Sequence, residues 1–158
     1  MRIAAAVGVA VLALDQLTKF VALARLSPGA QVTLVDGLAA LTLVMNPGLA
    51  FGMFAATPPA WRWLVSLLSL AALSVLAVLA ARLLPGGGWP AAVSLGLIFG
   101  GAVGNLIDRG RFGAVVDFID LHWRGYHWPA FNVADSAITV GVGLLAFRFL
   151  VSPKSTQA

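Results

Sequence analysis

The chain has 158 residues, 60% of them hydrophobic and only 10% Asp, Glu, Lys or Arg, with a formal net charge of +4. Soluble domains carry about 25% charged residues, so an ordinary water-soluble domain is excluded. The absence of Cys removes disulfides, thiolate nucleophiles and cysteine-based metal sites. All six acidic residues are Asp, and each charge inside an apolar stretch asks for a reason.

Length suggests one domain over residues 1–158, built as an α-helical integral membrane protein. Four transmembrane helices are predicted at about 3–26, 62–82, 90–108 and 133–151. In the first, Arg2, an apolar run and Ala22-Leu23-Ala24 resemble a secretory signal peptide. Asp15 and Lys19 interrupt that run. Four residues apart with the acid first, they share a helix face and pair. A charge at a helix centre costs about 2.5–3.5 kcal/mol on insertion scales, which favours a packed, retained helix.

A β-rich extramembrane segment follows over about 30–56. Gln31–Val35 and Leu38–Val44 flank Asp36-Gly37, a two-residue hairpin signal, so Asp36 is a turn former. Asn46-Pro47-Gly48 closes the second strand, and Ala50–Phe54 leads toward the next helix. Trp63 to Ala81 is nineteen residues with nothing more polar than Ser, bracketed by Arg62 and Arg82, with Trp61 and Trp63 where an aromatic belt would lie. After Gly86-Gly87-Gly88 and Pro90, the third helix carries Gly96, Gly100 and Gly104 at i+4 spacing, a seam for close approach of another helix.

Asn105, Asp108 and Arg109 share one face at the end of that helix, where an interfacial ion pair alone would account for the charges. The connection from Asp108 to Asn132 holds Asp117 between apolar pairs, placing it at a protein–lipid boundary. Asp120 beside His122 and Trp123 reads as solvated. Asn132 suits an N-cap, and Asp135, three residues on, can reach back as in a capping box. Taken alone Asp135 is a cap. With Asp117 it becomes a candidate pair at one membrane–water boundary. Two adjacent carboxylates hold a shared proton, and such a pair can activate water and protonate a leaving amine. Asp117, in apolar surroundings, is the more easily protonated partner, although the pair titrates as a unit.

Other chemistries have less support. Ser136 lacks a nucleophile elbow and can bond a helix carbonyl. A Lys19–Ser dyad would have to give up the Asp15 pair. His122 and His127 lack a metal-binding context, and their aromatic neighbours suggest interface anchoring. No nucleotide fingerprint occurs, and the scattered basic residues make no nucleic-acid footprint. Lys/Arg counting, four on the terminal side against five on the other, leaves the topology unsigned. A non-enzymatic transporter or scaffold remains the alternative, although no polar path is evident.

Five segments in order resemble the bacterial lipoprotein signal peptidase (signal peptidase II) family. They are Asp15-Gln16-Leu17-Thr18-Lys19, Asn46-Pro47-Gly48-Leu49-Ala50-Phe51-Gly52, Gly104-Asn105-Leu106-Ile107-Asp108-Arg109, Val116-Asp117-Phe118 and Phe131-Asn132-Val133-Ala134-Asp135-Ser136. Leu49, where the family often has Ala, is a small departure. The resemblance implies an aspartic endopeptidase that removes the signal peptide of a prolipoprotein before a Cys carrying diacylglycerol. It implies Asp117 and Asp135 as the catalytic dyad, Asn46 and Arg109 as substrate contacts, Asn105 and Asn132 as supports, and Asp15, Lys19 and Asp108 as structural polar residues. It also implies no metal or other cofactor, lipid-modified prolipoproteins and membrane lipid as partners, cytoplasmic termini, and an active site at the outer face of the inner membrane. The segment between the first two helices would form a β-cradle, and the loop before the fourth helix would carry a short interfacial helix.

Overall fold

A computed structural model describes residues 1–48, 58, 60 and 62–151 of the chain. Helix α1 spans Arg2–Arg25, strand β1 Val32–Val35 and strand β2 Ala39–Asn46. Helix α2 spans Arg62–Phe112, strand β3 Val115–Trp123, strand β4 Tyr126–His127 and helix α3 Val133–Val151. Within α2, Gly88 has φ 61° and ψ −166°, a conformation that only Gly adopts readily, so the run is two helical arms joined at a break. The arms Trp63–Arg82 and Gly86–Phe112, with α1, are long and apolar enough to cross a membrane; the first arm has a mean hydropathy of 2.5.

Burial is inverted relative to a soluble protein. Phe20, Leu67, Val75 and Phe147 stand exposed along the helices, while Asp15, Asp108, Asp117 and Asn132 are among the most deeply buried side chains. Water would reverse that preference; hydrocarbon around the helices explains it. The helices meet through glycine. A Cβ on Gly100 would stand 2.5 Å from the Gly8 carbonyl oxygen, and one on Gly96 would stand 2.7 Å from that of Ala4. The expected seam therefore packs on α1. Gly101 makes an equally close approach to the Ala134 carbonyl of α3, so the second arm of α2 lies between the other two helices.

The strands form one antiparallel sheet in the order β1-β2-β3-β4. The hairpin read at Asp36-Gly37 is present, with Gly37 at φ 71° and the Leu38 N–H donating to the Val35 carbonyl. Residues 49–57, which include the expected lead-in Ala50–Phe54, lie outside the described residues. The connection before α3 differs from expectation. No short helix lies between Gly113 and Asn132; that segment contains β3 and β4. The cause is the β-branched and aromatic run Val115-Val116-Asp117-Phe118-Ile119, which pairs with β2 from Asn46↔Val115 to Ala39↔Leu121. Asp117 thus sits on an interior strand rather than at a lipid boundary.

Candidate active site

Three elements deliver polar groups to one place. Asn46 lies opposite Val115 in the β2–β3 register, so Asp117, two residues further on, is its diagonal neighbour on the same face. Asn46 Nδ2 accordingly donates to Asp117 Oδ2 at 3.0 Å. Phe131 pairs with Ile119, its N–H and carbonyl both bonded to β3. That pairing places Asn132 alongside Asp117, and Asn132 Nδ2 donates to Asp117 Oδ1 at 2.7 Å.

Asn132 is also the N-cap of α3. Its Oδ1 accepts from the Asp135 N–H at 2.9 Å, and its own N–H donates to Asp135 Oδ2 at 3.3 Å, the reciprocal pair of a capping box. One residue therefore bonds both carboxyls, and Asn105 Nδ2 donates to Asp135 Oδ1 at 2.8 Å from α2. Ser136 Oγ donates to the Asn132 carbonyl at 3.0 Å, as expected of a helix-bonded serine.

Asp117 is 1% exposed. Burial pushes its carboxyl up to about 7, and the neighbouring Asp135 charge adds to the rise. The amide donors of Asn46 and Asn132, and the Lys19 charge, act in the opposite direction. A carboxyl poised near neutrality beside a second carboxyl can hold or release a proton at working pH.

Beneath the pair lies a buried ion cluster. Lys19 Nζ stands 2.9 Å from Asp15 Oδ2 and 2.8 Å from Asp108 Oδ2, and it donates to Asn105 Oδ1 at 2.9 Å. The expected Asp15–Lys19 pairing is thus present, and Asp108 turns toward Lys19. Backbone N–H groups also donate to both acids: that of Ala134, in the first turn of α3, to Asp15 Oδ1, and that of Val116 to Asp108 Oδ2, the oxygen that also faces Lys19. Gln16 Nε2 bridges the two acids. The cluster joins α1, α2, β3 and α3 directly below the carboxyl pair. Arg109 points elsewhere, its NH2 donating to the Gly48 carbonyl at 2.7 Å; among the described residues its Nε has no partner.

Asp120 is not solvated. It is 4% exposed, its carboxylate enclosed by Gln31, His122 and His127. Its carboxylate accepts from Gln31 Nε2 at 3.0 Å and lies 2.9 Å from His127 Nδ1 and 3.2 Å from His122 Nδ1. Both His are visible in the sequence, but their grouping with Asp120 exists only because the segment is strand rather than loop. The Arg124-Gly125 turn between Trp123 and Tyr126 is the signal that places His122 opposite His127.

A profile described as signal peptidase (SPase) II matches residues 7–151. The chain is 47% identical over 145 residues to the lipoprotein signal peptidase of Geobacter sulfurreducens, covering 92% of this chain and 89% of that protein. It is 43% identical over 153 residues to that of Pseudomonas aeruginosa, covering 96% and 90%. A solved structure titled as a bacterial membrane enzyme aligns with a TM-score of 0.80 at 28% identity, over 98% of this chain and 93% of that one.

Proposed function

The chain belongs to the signal peptidase II family and is a membrane protease, and on that premise we propose that Asp117 and Asp135 are the acid–base pair with which it removes the signal peptide from prolipoproteins. The observation that carries the assignment is the Asn132 bridge, which bonds both carboxyls from one residue beside a buried Asp117 raised to about 7.

With one proton between them, the pair meets both demands of amide hydrolysis. The ionised carboxylate takes a proton from water as its oxygen attacks the scissile carbonyl. The protonated carboxyl donates to the carbonyl oxygen, and the pair then passes a proton to the leaving amine as the C–N bond breaks. Water is consumed, a carboxylic acid and an amine are released, and the pair returns to its single proton. The pair holds that proton jointly and titrates as a unit. Asn105 and Asn132 keep the carboxyls oriented. Asn46 supports Asp117, and Arg109, with its guanidinium at Gly48, is positioned to donate to substrate backbone together with Asn46.

The finer picture is a single domain over 1–158 with four spans, α3 being the fourth. Its termini are cytoplasmic, and the sheet and carboxyl pair lie at the outer face of the inner membrane. Cleavage falls immediately before a diacylglyceryl-modified Cys. The test is cleavage of a prolipoprotein, with and without its diacylglyceryl group, by purified protein in detergent micelles. Asp117→Asn and Asp135→Asn each lower the rate about 10²–10⁴-fold or more, the contribution expected of general acid–base groups, and only the lipidated substrate is cut efficiently. Normal cleavage by either variant overturns the dyad. Equal cleavage of both substrates overturns the lipid requirement.

A further inference from the structure

On the face of β3 opposite Asp117, three side chains converge whose chemistry the proteolytic reaction does not use. Asp120 and His122 are two residues apart on one strand and so share a face. His122 stands directly opposite His127 of β4. The two imidazoles stack with centroids 4.9 Å apart, and both turn Nδ1 toward the Asp120 carboxylate. The three prospective donor atoms lie within 4.8 Å of one another.

We propose that Asp120, His122 and His127 form a binding site for a divalent transition-metal ion of the zinc type. Two imidazole nitrogens and a carboxylate oxygen are a donor set suited to such an ion, with a further position open to water. At the usual metal–ligand lengths, tetrahedral donors stand about 3.4 Å apart. The His–Asp separations of 2.9 and 3.2 Å reach that spacing with shifts of a few tenths of an ångström, and the imidazoles, stacked at 26°, turn out of that arrangement for both nitrogens to face one ion. His122 Nδ1 is buried and has no aligned hydrogen-bond partner among the described residues, although the carboxylate is 3.2 Å away. A metal ion would take its lone pair and remove that deficit. Gln31, donating to Asp120 Oδ2 at 3.0 Å, fixes the carboxylate from outside the triad, as ligand carboxylates are ordinarily held. His127 lies on the rim, half exposed, which leaves an entry path.

The consequence is mechanical rather than catalytic. Strand β4 is only two residues long, and the chain runs from it through Phe131 to Asn132. A metal linking β3 to β4 clamps the hairpin whose turn lies between Asp117 and Asp135 in the chain.

The test uses untagged protein in detergent micelles and zinc ion alone, followed by calorimetric titration and thermal unfolding at neutral pH, with cobalt absorption as a geometric readout. About one zinc per chain is expected, with a rise in melting temperature by linkage. His127→Ala, at the exposed rim, and Asp120→Asn each weaken binding about tenfold or more while retaining a cooperative unfolding transition, and both diminish the zinc-dependent rise accordingly. Tetrahedral cobalt bands should appear in the wild type and vanish in His127→Ala. Absence of zinc binding by the wild type, or an unchanged affinity in a folded His127→Ala, overturns the site and leaves a hydrogen-bonded histidine–carboxylate cluster.

Discussion

Replacing Lys19 by Met removes, in one step, the only cation in contact with Asp15 and Asp108 among the described residues. The three side chains are at most 3% exposed, so water cannot replace what is lost. Asp15 would keep the Ala134 N–H, Asp108 the Val116 N–H, and both the Gln16 amide. Those donors reduce the penalty without neutralising two buried negative charges. Breaking a buried pair by deleting one partner costs about 3–5 kcal/mol. With two acids stranded but each still hydrogen-bonded, the loss should be about 4 kcal/mol, a fall in melting temperature on the order of 10 °C for a chain of this size. Cleavage falls further than stability alone explains, because Lys19 also holds Asn105 Oδ1, whose amide nitrogen donates to Asp135. The assay is thermal unfolding in micelles alongside cleavage at a temperature where the variant is folded. A neutral triple variant, Lys19→Met with Asp15→Asn and Asp108→Asn, should recover more than half of the lost stability. An unchanged melting temperature in the single variant, or a triple variant no more stable than the single one, refutes the charge accounting.

The Asp117 carboxyl gives a pH prediction. Its folded-state value near 7 lies above the ordinary 3.8, so the folded chain binds this proton more tightly than the unfolded chain. That stabilisation is complete below about pH 4 and is lost as pH rises through about 7. Cleavage should decline over the upper part of the same range as the pair becomes doubly ionised, and in acid as both carboxyls protonate. Unfolding scans across pH should show the alkaline loss in the wild type and a smaller one in Asp117→Asn; identical profiles count against a raised Asp117. In the helix seam, Gly100→Ala should cost about 1–3 kcal/mol, because its Cβ meets the Gly8 carbonyl oxygen at 2.5 Å. Gly143→Ala, with nothing within 4 Å among the described residues, should be neutral or stabilise by about 0.5–1 kcal/mol, and unfolding scans should separate the two.

The helical part of the fold was legible because hydrocarbon imposes a length and a composition. Trp63–Arg82 needed no knowledge of its neighbours, and the Gly96/Gly100/Gly104 spacing announced a close helix contact without saying which helix makes it. The β1–β2 hairpin was equally local, set by Asp36-Gly37. Strand β3 was not. Asp117 and Asp120 break its apolar run, so its strand character depends on pairing with β2 across some seventy residues of sequence. Without that pairing Asp120 reads as solvent-facing, and the strands stand where the resemblance implies a short interfacial helix.

The carboxyl pair was found from scarcity of charge and from the ordered motifs, but its wiring was not legible. Asn132 was readable as a cap because capping is a local rule, satisfied within three residues. Its second role, bonding Asp117, exists only because Phe131 docks on Ile119. Likewise the Asp15–Lys19 spacing predicted a pair, whereas the structure makes that pair a foundation. Asp15 bonds the first turn of α3, and Lys19 holds the asparagine that holds Asp135. The polar residues of α1 therefore act on the site through its geometry. Conservative changes there, Lys19→Arg above all, should lower the rate of cleavage at saturating substrate more than substrate affinity, because what they disturb is the orientation of Asp135.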